Sequence, residues 1–456
     1  MKPIRVAVDI GGTFTDLQVH DARDGHVHAF KTPSTPQDPS EGLITGLMGA
    51  ADRHGFLLAD IGMILHGSTI ATNAILERKL PTGALVTTAG FRDVLEIGRH
   101  IRKNVYGLKA EERPCLIPRR LRFELAERVR ADGRVESCPS NEALSKIAEQ
   151  LRQAAVETVA IAFLHAYRNP ENEKRAAAVL TKALPGIAVA TSHETSPEIR
   201  EYERTSTTVL NALLKPVISG YLESVVGRLR AASIDAPLYL VQSNGGVASP
   251  EEAARLPARL LLSGPAGGAM AMADLARRHG LSNLVGLDMG GTSSDVSVVI
   301  DGQVGEAVEA QIDGLPVRLP MIDIRTVGAG GGSIARIDHG ALRVGPESAG
   351  AVPGPICYQR GGTHPTVTDA NAVLERINPA AFLGGTMRLD VDQATTMLSD
   401  RVAAPLGLTT PAAAAGILDV ATTHMAGAIR LSLFEKGADP ADFALAPFGG
   451  AAGLHA

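Results

Sequence analysis

The chain has 456 residues, a length that predicts two or more domain-sized units with enough apolar sequence for real cores. Hydrophobic residues make up 45% and charged residues 20%, an ordinary balance for a globular protein, while an aromatic share of 4% disfavours a base-stacking platform for single-stranded nucleic acid. The formal charge of −5 argues against a polyanion as the main partner.

Cysteine usage and the N-terminal residues point to a compartment. The chain has three cysteines, Cys115, Cys138 and Cys357. Their number is odd and their spacing is not that of metal ligands, so we expect a reducing environment without a disulfide framework. The first ten residues form a strand-like run too short for the apolar part of a signal peptide. No run of about 18 apolar residues predicts a membrane span. The sequence therefore predicts a soluble, cytoplasmic protein that binds neither nucleic acid nor membranes.

The first part of the chain predicts short strands joined by turns. Residues 4–30 alternate as hairpins, and a helix is predicted from about Ser40 after a Pro-rich loop. Residues 61–100 indicate strand, loop, helix and strand. Residues 104–138 are charged and interrupted by prolines, and no element is assigned to them.

From residue 141 the pattern alternates between amphipathic helices and buried strands, which predicts parallel strands with crossover helices. Residues 196–232 predict a long helix with a break or kink at Pro216. This helix is the candidate hinge between two halves of the chain. Residues 303–365 are rich in Gly and Pro, and the tail returns to helix.

Two stretches share one acidic, glycine-backed pattern. VAVDIGGTFTDLQV and VGLDMGGTSSDVSV both contain Asp-x-Gly-Gly-Thr-x-x-Asp, from Asp9 to Asp16 and from Asp288 to Asp295. A Gly-Gly turn lets another molecule approach the backbone, and its successive N–H groups suit phosphate oxygens. Carboxylates such as Asp9 and Asp288 suit Mg²⁺, which prefers hard oxygen ligands.

A single turn of this kind is more often a hairpin connector without a ligand. Two copies at identical spacing favour a phosphate role. Facing each other across a cleft, one from each half, they would hold a polyphosphate and its metal between closing domains.

Further motifs extend from residue 6 to the end of the chain. They are DIGGTFTD, HGSTIATNAILER, TTAGFRDVLEIGR, EIREYERTSTTVLNA, QSNGG, SGPAGG, LDMGGTSSDVS, TVGAGGGSIA, GPICYQRGG, TVTDAN and FGGAAGLHA. Together they resemble the hydantoinase A / 5-oxoprolinase family of the actin, Hsp70 and sugar-kinase superfamily. The resemblance implies an α/β, two-lobed actin-like ATPase (ribonuclease H-like) architecture with a duplicated core and inserted subdomains.

The same resemblance implies a domain organisation. We expect an N-terminal hydantoinase/oxoprolinase domain over 1–190, with the first phosphate motif. A hydantoinase A domain over 191–456 would hold the second phosphate motif and end on the adenosine motif. The family's C-terminal region is expected to be absent.

The family implies ATP-dependent opening of cyclic amides such as hydantoins or 5-oxoproline. In that chemistry Mg²⁺-ATP phosphorylates a carbonyl oxygen, a step that depends on positioning and charge neutralisation. We expect a B-type hydantoinase subunit as partner in a hetero-oligomer. The alternatives are an ATP-using subunit of an acetone- or acetophenone-type carboxylase, a small-molecule kinase, and a non-catalytic ATP-binding protein.

The resemblance also assigns roles to residues of the motifs. Asp9 and Asp288 would be catalytic, positioning Mg²⁺ or the attacking group. The cofactor would contact Gly11, Gly12, Thr13, Thr15, Gly290, Gly291, Thr292, Gly449 and Gly450. The metal would be held by Asp9, Asp16, Asp288 and Asp295.

Candidate substrate residues follow from two other motifs. HGSTIATNAILER predicts a loop that leads into a helix, where Thr69, Thr72 and Asn73 would either contact phosphate or substrate or simply cap the helix. Arg92 and Arg99 are added as substrate candidates because of the family resemblance.

Other polar residues favour structural roles. Arg200 and Arg204 share a helix face with Glu203, which favours surface ion pairs. GAGGGS lacks the last glycine of a dinucleotide fingerprint because Ser333 stands there, so it favours a backbone loop near nucleotide or substrate, or an ordinary turn. His66 favours an ordinary place in the core or in a loop.

Overall fold

The computed structural model describes residues 2–11, 14–35, 38–101, 106, 115–385 and 387–456. The chain forms two compact units. The first contains Met1–Gly264 and Ala307–Met321, and the second contains Pro265–Glu306 and Ile322–Ala456. The predicted division after residue 190 stays a prediction about the organisation of the sequence.

Strands are named in chain order. The first twelve are β1 (Ile4–Ile10), β2 (Phe14–Asp21), β3 (His26–Pro33), β4 (Ile61–Ser68), β5 (Gly83–Thr88), β6 (Arg122–Leu125), β7 (Arg128–Val129), β8 (Val135–Ser137), β9 (Thr158–Ala162), β10 (Ala188–Thr191), β11 (Leu238–Val241) and β12 (Val247–Ala248). They are followed by β13 (Leu284–Met289), β14 (Ser294–Ile300), β15 (Gln303–Val304), β16 (Glu306–Ala307), β17 (Ala310–Ile312), β18 (Leu315–Val317), β19 (Met321–Ile322), β20 (Ile324–Val327), β21 (Ser333–Asp338), β22 (Ala341–Ser348) and β23 (Ala444–Phe448).

The α-helices are named in the same way. They are α1 (Pro39–His54), α2 (Ile70–Leu76), α3 (Val94–Ile97), α4 (Asn141–Gln153), α5 (Glu171–Ala183), α6 (Ser192–Thr195), α7 (Glu201–Ala231), α8 (Pro250–Arg255), α9 (Ser263–His279), α10 (Val367–Val373), α11 (Val391–Leu398), α12 (Ala404–Leu406) and α13 (Thr410–Phe434).

The larger sheet of the first unit has the strand order β12-β11-β4-β1-β2-β3. β1, β2 and β3 are antiparallel, whereas β4 and β11 run parallel to β1. The alternation of β1 places Ile4, Val6, Val8 and Ile10 in the core, together with Leu47 of α1. The predicted hairpins of residues 4–30 are confirmed.

The second sheet of this unit has the order β10-β9-β5-β6, and its strands are parallel. Every residue of β5 and β9 is buried, which explains their mostly apolar sequence. α4 and α5 lie between β6 and β10 in the chain and pack on each other. The predicted parallel strands with crossover helices are confirmed.

α7 continues through Pro216, so of the predicted break or kink the break is wrong, and the kink stays a prediction. Proline cannot donate to the carbonyl four residues earlier, which belongs to Ala212. That carbonyl instead accepts the hydroxyl of Thr158 on β9, at 2.8 Å. The helix also lies wholly within the first unit, so the hinge interpretation is wrong.

α7 and α13 are each long and apolar enough to cross a membrane, but the core helix of a soluble protein can be equally long and apolar. Half of the apolar stretch of α7 and 39% of the apolar stretch of α13 are buried inside the protein. α7 also buries the polar residues Glu203, Arg204 and Asn211, which have hydrogen-bond partners within the first unit. These contacts identify α7 as a core helix.

The central sheet of the second unit repeats the arrangement of the first. Its order is β15-β14-β13-β23, with β20 also paired to β14. β14 is antiparallel to β13 and β23 is parallel to it, as β2 and β4 are to β1. α9 packs on β13, β14 and β23 through one apolar cluster, and α13 through another on β13 and β14.

His66 on β4 gives a pH-dependent contribution to stability. It is fully buried, with Nδ1 donating to the Val8 carbonyl at 3.3 Å and Nε2 accepting the Tyr221 hydroxyl at 2.7 Å. Burial lowers the pKa of His66 from 6.5 to about 4, although the hydrogen bond with Val8 has a smaller effect that raises it. The unfolded chain therefore takes up this proton at higher pH than the folded chain does.

We expect the free energy of unfolding to fall as the pH is lowered from 6.5 to about 4. His66→Gln should remove up to roughly 1.4 kcal/mol per pH unit of that slope. The measurement is denaturant unfolding across this range. Tyr221→Phe keeps the imidazole and should keep the slope; equal slopes for wild type and His66→Gln would contradict the assignment.

Candidate phosphate-binding site

The first acidic turn begins where β1 ends beside β4. In the β1–β2 ladder Asp9 lies directly opposite Asp16, and like charges in such positions repel. The pKa of Asp9 is raised, first because its carboxyl is buried and second because Asp16 is negatively charged, whereas the charge of Lys31 lowers it. The residue as a whole still keeps an exposed surface. Asp16 pairs with the Lys31 ammonium at 2.9 Å. The turn thus presents two carboxylates and one neutralising cation.

Ser34 fixes the backbone next to this turn. Its hydroxyl donates to the Gly11 carbonyl at 2.7 Å and lies 3.0 Å from the Thr15 hydroxyl. Thr15 is fully buried, so within the described residues its hydroxyl serves the turn itself. Gly12 and Thr13, both predicted to contact the cofactor, lie outside the described residues.

Some of the predicted substrate residues lie beside the first turn. Asp9 pairs with Gly67 of β4, where an added Cβ would lie 3.3 Å from the Asp9 carboxylate. The Thr69 hydroxyl donates to the last carbonyl of β1 at 3.4 Å and accepts from Asn73 at 3.1 Å. The Thr72 hydroxyl accepts a backbone N–H just before α9, at 3.2 Å. β4 continues to Ser68 and α2 begins at Ile70, so the predicted helix is confirmed but the predicted loop is reduced to Thr69. Thr69 and Asn73 are the residues of this motif that are linked to the turn.

The predicted substrate arginines have acidic partners. These pairs are Arg92–Glu124 at 3.5 Å and Arg99–Glu203 at 2.5 Å, with Arg200–Glu309 at 3.6 Å on the neighbouring segment. Burial opposes ionisation of Glu203, but the hydrogen bonds from Arg99 leave its pKa lowered. An ion pair is the role that the structure gives Arg92 and Arg99, and their contact with substrate stays a prediction.

The surface pairing predicted for Arg204 is wrong, because its side chain is only 2% exposed. Its guanidinium donates to the Glu198 and Phe163 carbonyls, at 2.8 and 3.0 Å, and to the Ser192 hydroxyl at 3.2 Å. It also lies 5.4 Å from the centre of the Tyr167 ring. The residue fixes the start of α7 against the parallel sheet.

The second acidic turn reproduces the first. Asp288 lies directly opposite Asp295 in the β13–β14 ladder, and Gly290 N–H donates to the Ser293 carbonyl at 3.0 Å to close the turn. Burial raises the pKa of Asp295, while a 2.5 Å hydrogen bond from the Thr326 hydroxyl opposes that shift. Both predicted motifs therefore place their two carboxylates on adjacent strands, directly opposite each other.

The GAGGGS segment packs backbone to backbone against the second turn. Gly331 N–H donates to the Gly290 carbonyl at 3.0 Å, and Gly332 N–H donates to the Gly291 carbonyl at 2.6 Å. A Cβ on Gly330 would lie 2.6 Å from the backbone nitrogen of Ser293. β21 follows directly, not the helix that a dinucleotide fingerprint requires. The segment is a loop that supports the second turn.

The sequence pattern assigned no role to Thr368, which supports this loop, or to its neighbour Asp369, which caps the start of α10. The backbone N–H and the hydroxyl of Thr368 both donate to the Gly331 carbonyl, at 2.7 and 2.8 Å. The buried Asp369 carboxylate accepts from the Thr366 hydroxyl and the Cys357 N–H, both at 2.8 Å. The available signal was the capping box formed by Thr366 and Asp369.

The last motif meets the second turn through Gly449. This residue has φ +82°, and a Cβ there would overlap the Asp288 carboxylate and lie 2.8 Å from the Met289 carbonyl. At Gly291 and Gly450, by contrast, an added Cβ would have no atom of the described residues within 4 Å. Gly449 is thus required by the protein itself, whereas Gly291 and Gly450 border open space.

The carboxylates offer a limited metal site. Within the described residues, no group of three or more His, Cys, Asp or Glu side chains is arranged to hold a metal ion. Each turn supplies one pair of hard oxygen ligands. Such a pair fits Mg²⁺ if phosphate oxygens and water complete its coordination.

Comparison with known proteins decides the family. The family model described as Hydantoinase/oxoprolinase matches residues 204–456, and that of the Hydantoinase/oxoprolinase N-terminal region matches residues 5–184. The chain belongs to the hydantoinase/oxoprolinase family.

Relatives of this family member include lactam hydrolases. Caprolactamase subunit alpha of Pseudomonas jessenii is 39% identical, with 99% of this chain and 66% of that protein covered. The 5-oxoprolinase of Saccharomyces cerevisiae is 33% identical, with 99% of this chain and 39% of that protein covered. The chain therefore spans about two thirds of the first relative and about two fifths of the second.

Solved structures agree with this assignment. The ATP-dependent caprolactamase of Pseudomonas jessenii superposes with a TM-score of 0.87 at 38% identity, covering 99% of this chain and 66% of that one. Nucleotide-free acetone carboxylase gives a TM-score of 0.83 at 29% identity, covering 100% and 66%. Both have the actin-like ATPase fold, so the predicted α/β fold class of this hydantoinase/oxoprolinase family member is confirmed.

The two glycines of the last motif should differ in what they tolerate. Gly449→Ala should lower the free energy of unfolding by about 2 kcal/mol, because it strains a left-handed backbone and displaces Asp288. Gly450→Ala should leave stability within about 0.5 kcal/mol while weakening nucleotide binding. Thermal unfolding and titration with a fluorescent ATP analogue measure the two effects; equal losses of stability would contradict the distinction.

Proposed function

We propose that the chain is the ATP-using subunit of a cyclic-amide hydrolase of the hydantoinase/5-oxoprolinase type. The observation that carries the proposal is the acidic turn built twice, with the same opposed pairs Asp9–Asp16 and Asp288–Asp295. Relatives named ATP-dependent caprolactamase and 5-oxoprolinase support ATP use and a lactam-type substrate.

In this proposal the turns bind the phosphates of ATP. Open space lies beside Gly291 of the second turn, and phosphate oxygens bound there would accept from the backbone N–H groups of Gly291 and Thr292. Gly450, next to the same turn, would approach the adenosine. Mg²⁺, when bound, would neutralise phosphate charge, and each turn offers one pair of carboxylates to hold it, Asp9 with Asp16 and Asp288 with Asp295.

The chemical step would be transfer of the γ-phosphoryl group to the carbonyl oxygen of the cyclic amide. The ring carbon then becomes a better electrophile for water, and phosphate leaves as the ring opens. This step needs positioned donors and fixed charges more than a protein nucleophile. Thr69 and Asn73, linked to the first turn, are the proposed substrate contacts.

A partner subunit is part of the proposal. Caprolactamase subunit alpha is by its name one subunit of an enzyme, and the acetophenone and acetone carboxylase relatives are also named as subunits. We therefore propose a B-type hydantoinase partner, in a cytoplasmic hetero-oligomer.

Carboxylation is the second candidate function. The likeness to acetone carboxylase, with a TM-score of 0.83, favours it over a small-molecule kinase or a non-catalytic ATP-binding protein. In a carboxylase the activated oxygen would belong to a ketone or its enol, and the product would be a carboxylic acid.

Asp9→Asn and Asp288→Asn should each lower ATP turnover by about 100-fold or more, because each removes a charge that positions the metal and phosphates. The measurement is phosphate release with the partner subunit present, across caprolactam, hydantoins, 5-oxoproline and simple ketones. Asp274→Asn, which removes a surface carboxylate paired with Arg278 at 2.6 Å, is the matched control and should retain full turnover.

The products separate the candidate functions. Free phosphate with an opened amide supports the hydrolase, and a carboxylated ketone supports the carboxylase. A phosphorylated product that persists would indicate a kinase. Full turnover by both Asp→Asn variants would refute the phosphate roles proposed for the turns.

A further inference from the structure

Each acidic turn belongs to a row of three side chains on neighbouring strands. Residues that face each other in a ladder project to the same side of the sheet, so such a row continues from strand to strand. The first row lies on β1, β2 and β3, and the second lies on β13, β14 and β20. Their members, in that order, are Asp9, Asp16 and Lys31 in the first row and Asp288, Asp295 and Thr326 in the second.

The third strands of the two rows are equivalent in more than register. Both are antiparallel to the strand that carries the second carboxylate. β3 leads to Ser34, whose hydroxyl donates to the Gly11 carbonyl at 2.7 Å. β20 leads to the GAGGGS loop, where the Gly331 N–H donates to the Gly290 carbonyl at 3.0 Å. In each unit the third strand therefore continues into the segment that supports the turn, and Lys31 is the counterpart of Thr326.

The two rows differ in charge at this third position. The Lys31 ammonium lies 2.9 Å from the Asp16 carboxylate, whereas the Thr326 hydroxyl donates to Asp295 at 2.5 Å. A hydroxyl satisfies a carboxylate oxygen but brings no charge to it. With its carboxylates ionised, the first row thus combines two negative charges with one positive charge, and the second row has the two negative charges alone.

This difference decides which row suits a divalent cation. An ammonium beside a carboxylate pair compensates part of its charge and repels a further cation. A row of two carboxylates and a hydroxyl attracts such an ion more strongly, and all of its side-chain ligands are the hard oxygens that Mg²⁺ prefers. The second row is therefore the better place for the metal.

Lys31 is placed to contact an anionic ligand. Its side chain and that of Asp16 are each 49% exposed. An ion pair between such exposed side chains contributes little net stability, so a phosphate oxygen can replace Asp16 at small cost. Lysine suits this exchange because its stem is flexible and its ammonium binds phosphate as a point charge.

We propose that Lys31 is the phosphate-contacting cation of the first turn and that the divalent cation is held at the second turn. The inference rests on the proposed function and divides it between the two units. Asp9 and Asp16 keep the ammonium in place, and the ammonium donates to a phosphate oxygen of the nucleotide. Asp288 and Asp295 hold the divalent cation, together with phosphate oxygens and water.

Titration with a fluorescent ATP analogue, once in EDTA and once with Mg²⁺, tests the role of Lys31. Lys31→Met should weaken the affinity in EDTA by about tenfold or more, because a phosphate loses its charged donor. The gain in affinity that Mg²⁺ gives should be at least as large as in the wild type. Lys79→Met is the matched control, since Lys79 also pairs with a carboxylate, that of Glu77 at 2.6 Å, but lies beyond the end of α2. It should keep both affinities within about twofold.

The same titration tests the second row. Thr326→Lys gives this row the composition of the first, so it should abolish the gain from Mg²⁺ without weakening the affinity in EDTA. Thr423→Lys is the control, because Thr423 is exposed on α13 and its hydroxyl bonds within that helix, to the Asp419 carbonyl at 2.8 Å. It should keep the gain from Mg²⁺ within about twofold. Thermal unfolding should show that all four variants fold.

Two kinds of result would overturn the inference. One is an affinity in EDTA that Lys31→Met leaves unchanged. The other concerns the gain from Mg²⁺: its absence in the wild type, its loss in Lys31→Met or its survival in Thr326→Lys. In all these cases the wild type still binds the nucleotide, so the proposed function stands. A wild-type protein that binds no ATP analogue in either condition would refute both.

Discussion

The opposition of two carboxylates across a hairpin is the constraint around which each unit is organised. Asp9 faces Asp16, and Asp288 faces Asp295, in ladders where like charges repel. A protein that needed only a turn would avoid this pairing. Each hairpin instead adds a neighbour that lessens the cost, a lysine in the first unit and the Thr326 hydroxyl in the second. A bound cation would lessen the same repulsion directly.

The two units stabilise the same motif by different means. In the first, the turn is linked to side chains, since Ser34 binds the Gly11 carbonyl and Thr69 binds the end of β1. In the second, it is linked chiefly to backbone, through the glycines of residues 330–332 and the close approach of Gly449. Side-chain links tolerate adjustment more readily than backbone contacts do. The second turn is accordingly the one whose neighbours are least free to change in sequence.

Local signals predicted much of this architecture, and long-range contacts account for the rest. The alternation of β1 and the repeated Gly-Gly turns depend on neighbouring residues, so the hairpins and the α/β class could be predicted. The burial of Arg204 could not, because its partners Phe163 and Ser192 come from elements that precede α7 in the chain. The continuity of α7 through Pro216 likewise depends on a hydroxyl from β9. The support that Thr368 gives to Gly331 joins residues 37 positions apart.

Gly449 has a mechanical consequence for the second unit. It follows β23 immediately, and its backbone touches the Asp288 carboxylate with no side chain between them. Because the end of the strand and the carboxylate are in direct contact, neither can shift without the other. The register of β23 against β13 therefore sets where the Asp288 charge lies.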